Sequence, residues 1–390
     1  MYKYNDIKTV HLEITEACNA ACPMCARNIN GGEDNPHLTG AELTLEDCKV
    51  IFSPHFIAQL DRMYMCGNFG DPVAAKDTLE VFNYFRQNNP KMNLCMYTNG
   101  SAKKPEWWKE LASVLGKNSY VVFSIDGLAD TNHLYRQNTI FDKIIENAQA
   151  FIDAGGRARW DYIVFAHNEH QVEQAEALSK KMGFEKFQYK KSARFFSNAS
   201  GTTKEIHQAV NRKGAPTTTL QAPTDPKYRN SVLDQLSKIV GQKEQEVKFL
   251  PSKQIEAISA QSNQTFHTDI SKKTKMELEL DNAVIKCKVA EEKSVYISAE
   301  GIVQPCCWTA GQMYVWYHKP LGTQIWEAID RIGKNRLNAK EYTLESIING
   351  MYFQEVIPES WDKPSCAEGK LSVCAKVCST KYDAFKEQFK

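Results

Sequence analysis

Apolar and polar positions follow two alternating rhythms over the first 200 residues. Short apolar or β-branched runs at 9–15, 62–67, 92–98, 120–126, 160–165 and 184–189 predict strands. Between them, helical periodicity covers 45–60 after Thr44, 77–87, 106–115 after Pro105, 141–154 before Gly155 and 170–182 before Gly183. The flanking residues suit helix ends, with Thr44 as an N-cap, Pro105 in a first turn and the two glycines as C-caps. Strand and helix in regular succession predict a parallel sheet covered by helices. Such sheets carry their functional residues at the C-terminal ends of the strands.

The texture changes at 201–280, where 26 of 80 residues are Ser, Thr, Asn or Gln and Pro216, Pro223, Pro226 and Pro251 interrupt the chain. This reads as a polar bridging segment or insertion, with short helices near 231–240 and 253–260. Cysteine returns after residue 281 with Cys287, Cys306, Cys307, Cys366, Cys374 and Cys378, marking a second cysteine-bearing module over 281–390. Hydrophobic residues make up 42% of the chain and charged residues 24%, as in ordinary soluble globular proteins. Lys and Arg number 48 against 47 for Asp and Glu, so no global field recruits nucleic acid or an anionic membrane. No uncharged apolar run approaches the roughly 18 residues of a membrane helix, and the first ten residues lack the apolar centre of a secretory signal. The expected compartment is the cytosol, where twelve cysteines serve metal or redox chemistry rather than disulfides.

The first strand runs directly into Glu16-Ala-Cys18-Asn-Ala-Ala-Cys22-Pro-Met-Cys25. Three thiols in Cys-x3-Cys-x2-Cys spacing therefore share one short loop at a strand's C-terminal end. A closed zinc site takes four protein ligands, and neither His37 nor Cys48 lies within this loop. Three thiolates suit a four-iron cluster with one iron left open. Three ordinary buried cysteines, or a zinc site completed from elsewhere in the chain, are the competing readings.

This loop, on the first of six βα units, resembles that of the radical S-adenosylmethionine enzymes. The resemblance implies a partial (β/α)6 TIM-like barrel over 1–200 and a [4Fe-4S] cluster on Cys18, Cys22 and Cys25. It further implies that S-adenosyl-L-methionine chelates the open iron and is cleaved to a 5'-deoxyadenosyl radical that abstracts hydrogen from a substrate. Gly67-Asn68-Phe69-Gly70-Asp71-Pro72 is similar to the family's Gly-Gly-Glu-Pro segment, which accepts hydrogen bonds from the ligand's amino group. Asp71 stands where Glu is commoner and has a shorter reach, so Asn68 or a backbone carbonyl is expected to share the task. Tyr97-Thr98-Asn99-Gly100 resembles a segment near ligand or substrate. Ser124-Ile-Asp126-Gly127 and the following Arg136 resemble the stretch whose hydroxyl and guanidinium hold the ligand's ribose and carboxylate. By position, Asp126 is expected in the site.

In the second module, Cys287 is followed by thirteen residues, Gly301, four residues and Cys306. Residues 295–303 read as a β-hairpin that brings these two thiols together. The arrangement resembles the opening half of the auxiliary-cluster domains called SPASM and of their shorter relatives called twitch. Cys374-Ala-Lys-Val-Cys378 resembles the later Cys-x3-Cys element. Too few cysteines remain for a full SPASM set. The resemblance therefore implies one auxiliary [4Fe-4S] cluster in a small α+β twitch/SPASM-like domain, on Cys287, Cys306, Cys374 and Cys378, with Cys366 as substitute. A structural zinc fits four thiolates equally well. Where sulfatase-maturing relatives place an acid after the cysteine matching Cys306, this chain has Cys307, a candidate acid, hydrogen donor or spare ligand whose plainer reading is a buried thiol. Cys48, Cys66 and Cys95 read as buried small hydrophobes.

The resemblance thus implies an oxidoreductase-like enzyme acting on a peptide, a protein side chain or a small natural product, with a reductant such as flavodoxin or ferredoxin. Within the same chemistry the alternatives are a small-alcohol dehydrogenase and a cofactor-biosynthesis enzyme. About ten residues precede the first strand, too few for a leader-peptide-binding domain, which favours a small or free-standing substrate. From another class, a non-catalytic zinc- or cluster-binding interaction protein would use 187–196, with Lys190, Lys191 and Arg194, as a basic-aromatic patch. That stretch reads more simply as a strand and a solvated loop, and no nucleic-acid or membrane partner is expected.

Overall fold

Six strands lie parallel and in chain order, each hydrogen-bonded to the next, in a computed structural model that describes residues 1–192, 194–195, 205–231, 266–317 and 319–380. They are β1 (Thr9–Leu12), β2 (Arg62–Met65), β3 (Asn93–Thr98), β4 (Tyr120–Ser124), β5 (Ala158–Val164) and β6 (Lys186–Lys191). The helices between them are α1 (Leu45–Ile51), α2 (Pro54–Ala58), α3 (Thr78–Asn88), α4 (Pro105–Leu115), α5 (Asn132–Tyr135), α6 (Phe141–Asp153) and α7 (Val172–Met182). This is an α/β fold with a mostly parallel sheet, consistent with a partial TIM barrel. The helix expected over 45–60 is two helices. Pro54 has no N–H to continue α1, and the Ser53 hydroxyl accepts from the Phe56 N–H at 3.2 Å, starting α2 afresh.

The pleat sorts side chains to opposite faces. Met63, Met65, Leu94, Met96, Val121, Phe123 and Trp160 face the helices and are fully buried. Phe123 packs its ring against Trp108 at 5.1 Å, Phe184 at 6.0 Å and Phe151 at 6.2 Å. Their alternates Arg62, Tyr64, Asn93, Tyr97, Ser124 and Arg159 face the barrel interior and keep partial exposure. The outer face is thus dry core, while the inner face mixes these half-buried groups with a buried cluster of Cys95, Tyr120 and Val122.

Two hairpins complete the sheet structure. The hairpin expected at 295–303 forms as β9 (Ser294–Ile297) and β10 (Val303–Gln304), with a 2.8 Å turn bond from the Gly301 N–H to the Ser298 carbonyl. Gly301 has φ +90°, which favours glycine. β9 pairs in parallel with β1, so the sheet has eight strands in the order β10-β9-β1-β2-β3-β4-β5-β6. The start of the cysteine-rich segment is therefore joined to the barrel edge by main-chain hydrogen bonds.

In the polar segment, β7 (Ile206–Val210) and β8 (Pro216–Gln221) form a hairpin that the sequence reading did not anticipate. The helices expected at 231–240 and 253–260 lie, Ser231 apart, outside the described residues. No helix among the described residues is long and apolar enough to cross a membrane.

Phe123→Ala should cost about 3–5 kcal/mol, because the cavity it leaves among three rings cannot close. The denaturant midpoint measures this, and an unchanged midpoint would contradict the packing.

Candidate active site

The loop after β1 carries the three thiols and is tied at both ends. The Glu16 carboxylate accepts from the N–H groups of Thr39, Gly40 and Ala41 at 2.9, 2.6 and 3.0 Å, holding the returning chain. Within the loop, the Cys25 N–H reaches the Cys22 carbonyl at 3.0 Å, and the Ala21 N–H reaches the Gln137 carbonyl at 3.0 Å. Cys18, Cys22 and Cys25 are close enough that the charges of the latter two push the Cys18 thiol pKa up, after burial and Asp71. Burial likewise lifts Cys22 to about 11, against the opposing pull of Arg136. Donors surround the sulfurs, with Arg136 Nη1 3.8 Å from Cys22 Sγ, Asn99 Nδ2 3.8 Å from Cys18 Sγ and the Ala20 N–H 3.4 Å from Cys18 Sγ.

Arg136 and Asp126 act as a pair. Asp126 Oδ2 accepts from Arg136 Nε at 2.5 Å and its Oδ1 from the Ile163 N–H at 2.5 Å. The Asp126 side chain is 0% exposed. Expected in the site, Asp126 has both oxygens occupied and faces no open space. It fixes the guanidinium that points at Cys22. Ser124 is half-buried, and no hydrogen bond to its hydroxyl is found among the described residues.

The loop after β2 meets the cysteine loop backbone to backbone. A Cβ on Gly70 would fall 1.9 Å from the Thr15 carbonyl oxygen, so only glycine fits there. The Asp71 N–H donates to the Ala17 carbonyl at 2.8 Å. The Asp71 carboxylate turns inward, taking the Asn99 N–H at 2.7 Å, Asn99 Nδ2 at 2.8 Å and the Val73 N–H at 3.2 Å. Asn68 is the residue of this loop that bridges. Its carbonyl lies 3.9 Å from the Cys25 thiol, and its Nδ2 donates to the Cys307 carbonyl at 3.2 Å.

Glu13 was not singled out from sequence, yet it holds this corner together. One oxygen accepts from the N–H groups of Phe69 at 2.6 Å and Gly70 at 3.1 Å, and the other accepts from the Tyr296 hydroxyl on β9. Burial raises its pKa from 4.5 to about 7, against these hydrogen bonds. The only sequence signal was an acid placed on the inward phase of a strand otherwise rich in apolar residues.

The cysteine-rich segment gathers Cys287, Cys306, Cys374 and Cys378 round one pocket walled by Val289, Pro305, Ile357, Trp361, Val373 and Val377. Cys366 lies apart from it. Its N–H binds the Asp281 carboxylate at 2.7 Å and its carbonyl accepts from Gln324 at 2.7 Å. Burial holds the Cys307 thiol well above the usual range, and its neighbour Cys306, then Cys66 and Glu13 at the barrel mouth, push it the same way. Cys48 and Cys95 are fully buried, whereas Cys66 keeps partial exposure.

Within the basic-aromatic stretch, of which Ala193 and Phe196 lie outside the described residues, two of the three named cations have partners. Lys190 pairs with Asp161 at 2.5 Å, and Arg194 donates to the Met24 carbonyl at 2.8 Å and the Tyr135 hydroxyl at 3.2 Å. The β7–β8 hairpin closes over the cysteine loop, its Val210 N–H bonded to the Asn30 carbonyl at 2.9 Å and its fully buried Leu220 packed in one cluster with Cys22. That contact was invisible in the polar run of β8.

Residues 12–179 match the family model described as the Radical SAM superfamily. This segment is a radical SAM domain. The chain is 36% identical over 107 residues to the FeMo cofactor biosynthesis protein NifB of Azotobacter vinelandii, covering 26% of this chain and 21% of that protein. It is 32% identical over 97 residues to NifB of Herbaspirillum seropedicae, covering 24% of this chain and 18% of that protein. The chain thus spans about a fifth of the length of these curated relatives. Among solved structures, Streptococcus suis SuiB bound to S-adenosylmethionine aligns with TM-score 0.50 at 13% identity, over 95% of this chain and 73% of that one. This last likeness is one of fold.

The donor set of the radical SAM domain fits the cluster that its family uses. Three sulfurs share one loop with N–H donors aimed at them. The nearby carboxylates of Asp71 and Asp126 are engaged by Asn99 and Arg136, and none of the hydrogen bonds to these sulfurs brings in an imidazole or carboxylate as a fourth ligand. Among the described residues, no three His, Cys, Asp or Glu side chains are grouped to hold a single metal ion, so the fit rests on donor chemistry and mutual approach. At the second pocket, four thiols within apolar walls suit a cluster or zinc alike. There the buried Trp361 Nε1 has no hydrogen-bond partner and lies against Cys374, ready to donate to a thiolate.

Because the folded protein raises the Glu13 pKa, protonation favours the folded state. Its contribution is full below pH 4.5 and is lost as pH climbs through about 7, by on the order of 3 kcal/mol. Glu13→Gln should flatten this decline in denaturant melts at stepped pH, and parallel profiles for the two proteins would refute it.

Proposed function

We propose that the chain binds a [4Fe-4S] cluster on Cys18, Cys22 and Cys25 and, with it, cleaves S-adenosyl-L-methionine to abstract hydrogen from a peptide or protein side chain or a small natural product. The observation that carries this reading is the approach of three thiols on the loop after β1, faced by Arg136 and Asn99. When bound, the cluster supplies the electron that breaks the sulfonium S–C5' bond and leaves a 5'-deoxyadenosyl radical.

The chain's own groups bind and orient. Arg136, pinned at Nε by Asp126, keeps its outer N–H groups for a carboxylate beside Cys22. The Ser124 hydroxyl is free for the ribose. The inward turn of Asp71 leaves the ligand's amino group to backbone carbonyls of the 67–70 loop and to Asn68, while Asp71 orients Asn99. The β7–β8 hairpin and Leu220 exclude water from the cysteine loop.

The reading extends to one auxiliary [4Fe-4S] cluster on Cys287, Cys306, Cys374 and Cys378, with Cys366 left out, in a twitch/SPASM-like domain over 281–390. Residues 1–200 form the barrel and 201–280 a bridge. Cys307 stands between the two sites as a neutral thiol suited to give a hydrogen or a proton. A cytosolic reductant such as flavodoxin or ferredoxin supplies electrons.

Anoxically reconstituted protein should hold about eight irons and form 5'-deoxyadenosine under strong reductant. Cys18→Ala, Cys22→Ala or Cys25→Ala should abolish that product. Cys287→Ala or Cys378→Ala should leave about four irons with product still formed. Zinc in place of iron, or iron without cleavage of S-adenosyl-L-methionine, overturns the enzymatic reading. Unchanged iron in both auxiliary variants overturns the second cluster.

A further inference from the structure

We propose that the Trp361 indole N–H donates to the Cys374 sulfur of the auxiliary cluster and thereby raises that cluster's reduction potential. The proposal rests on the reading that a [4Fe-4S] cluster occupies the second pocket. An irregular helix presents the indole. Tyr352–Val356 form a π-helical turn that runs directly into the α-helix Ile357–Trp361. A π turn adds a residue to the winding and re-aims the side chains after it, and such turns are frequent at functional sites. Ile357 and Trp361 are four residues apart, hence on one helix face, and both wall the pocket that holds Cys374 and Cys378.

Trp361 brings to that wall a polar atom that no protein group satisfies. Its ring packs against the apolar core, whereas Nε1 is buried without a hydrogen-bond partner. A buried indole N–H usually finds an acceptor, because leaving the bond unmade carries the full cost of desolvating the donor. The acceptor this pocket offers is sulfur. Burial, then the charges of Cys306 and Cys378, disfavour a thiolate at Cys374, and the Trp361 indole favours one. A neutral thiol accepts weakly, but a metal-bound sulfur is a thiolate and takes a stronger, charge-assisted bond. The orphaned N–H is thus completed once the cluster is in place.

Two of the other sulfurs are served by main chain. Cys287 draws on the Ala290 N–H, and Cys306 on the N–H groups of Thr309 and Trp308. Each of these donors lies in the turn that its own cysteine begins, so the bonds come with the local backbone. Trp361 differs in kind. It stands thirteen residues before Cys374 and reaches the pocket with a side chain, so its N–H can be removed without disturbing a cysteine or its turn.

The direction of the effect follows from charge. Reduction adds an electron to a centre already ringed by thiolates, and the apolar walls of Val289, Pro305 and Val377 give that charge no solvation. Hydrogen bonds to the sulfurs stabilise the more negative, reduced state more than the oxidised one, which is why they are among the groups that set cluster potentials. The indole N–H therefore opposes the penalty that the walls impose.

The test is a potentiometric titration of the anoxically reconstituted holoenzyme, followed by EPR without S-adenosyl-L-methionine, in wild type and Trp361→Phe. The full chain carrying Cys18→Ala/Cys22→Ala/Cys25→Ala assigns the auxiliary signal. In Trp361→Phe we expect a reduced-to-oxidised ratio of the auxiliary cluster about tenfold lower at fixed potential, a fall of about 59 mV for one electron, with the first cluster unmoved. An unchanged auxiliary midpoint, or equal shifts in both clusters, overturns the tuning and leaves the second cluster standing. Should Trp361→Phe lose that cluster, the anoxic crystal structure of the wild type decides the hydrogen bond on which the tuning depends. An indole N–H seated on Cys374 Sγ upholds it, and one turned away overturns it. Zinc or no metal in the wild-type pocket removes the auxiliary reading and the tuning together, while formation of 5'-deoxyadenosine still reports on the first cluster alone.

Discussion

A single buried carboxylate, Glu13, joins three parts of the molecule. It belongs to the segment leaving β1, accepts from the main chain of the loop after β2 and accepts from the Tyr296 hydroxyl on β9. In a low-dielectric interior such a group is tolerated only because its oxygens are saturated with donors. The loop it holds lies against the cysteine loop, where Gly70 leaves room for the Thr15 carbonyl. Asn68 then falls between Cys25 and Cys307. These hydrogen bonds therefore couple the geometry of the barrel mouth to the cysteine-rich segment, which the β1–β9 ladder also holds to the barrel edge.

The polar groups round the mouth fall into two kinds. Asp126, Asp71 and Glu16 are consumed by neighbours and act as fasteners, each setting the position of another group. Arg136 and Asn99 are fastened on one side and keep donors directed at sulfur on the other. This division follows from desolvation, since a carboxylate left free beside three thiols would resist their ionisation, whereas N–H donors favour it. The same logic reaches the second pocket, where the wall is apolar and the unpartnered buried donor is an indole N–H.

Periodicity within a dozen neighbours was enough to read the six parallel strands, most of their helices and the hairpin ahead of Cys306 from the sequence. Cysteine spacing alone pointed to Cys18, Cys22 and Cys25 as one group, because an eight-residue stretch cannot scatter them far. Pro54 was a local signal too, but helical periodicity on both sides of it masked the break. Other features depended on contacts between distant residues. Only the tertiary structure decided that β9 pairs with β1 and that a hairpin of threonines packs Leu220 beside Cys22. It alone separated Cys366 from the four pocket cysteines and turned Asp71 and Asp126 inward. A residue's period is set by the chain next to it, but the partner that satisfies a buried charge arrives from anywhere in the fold, and nothing in the residue's own neighbourhood records it.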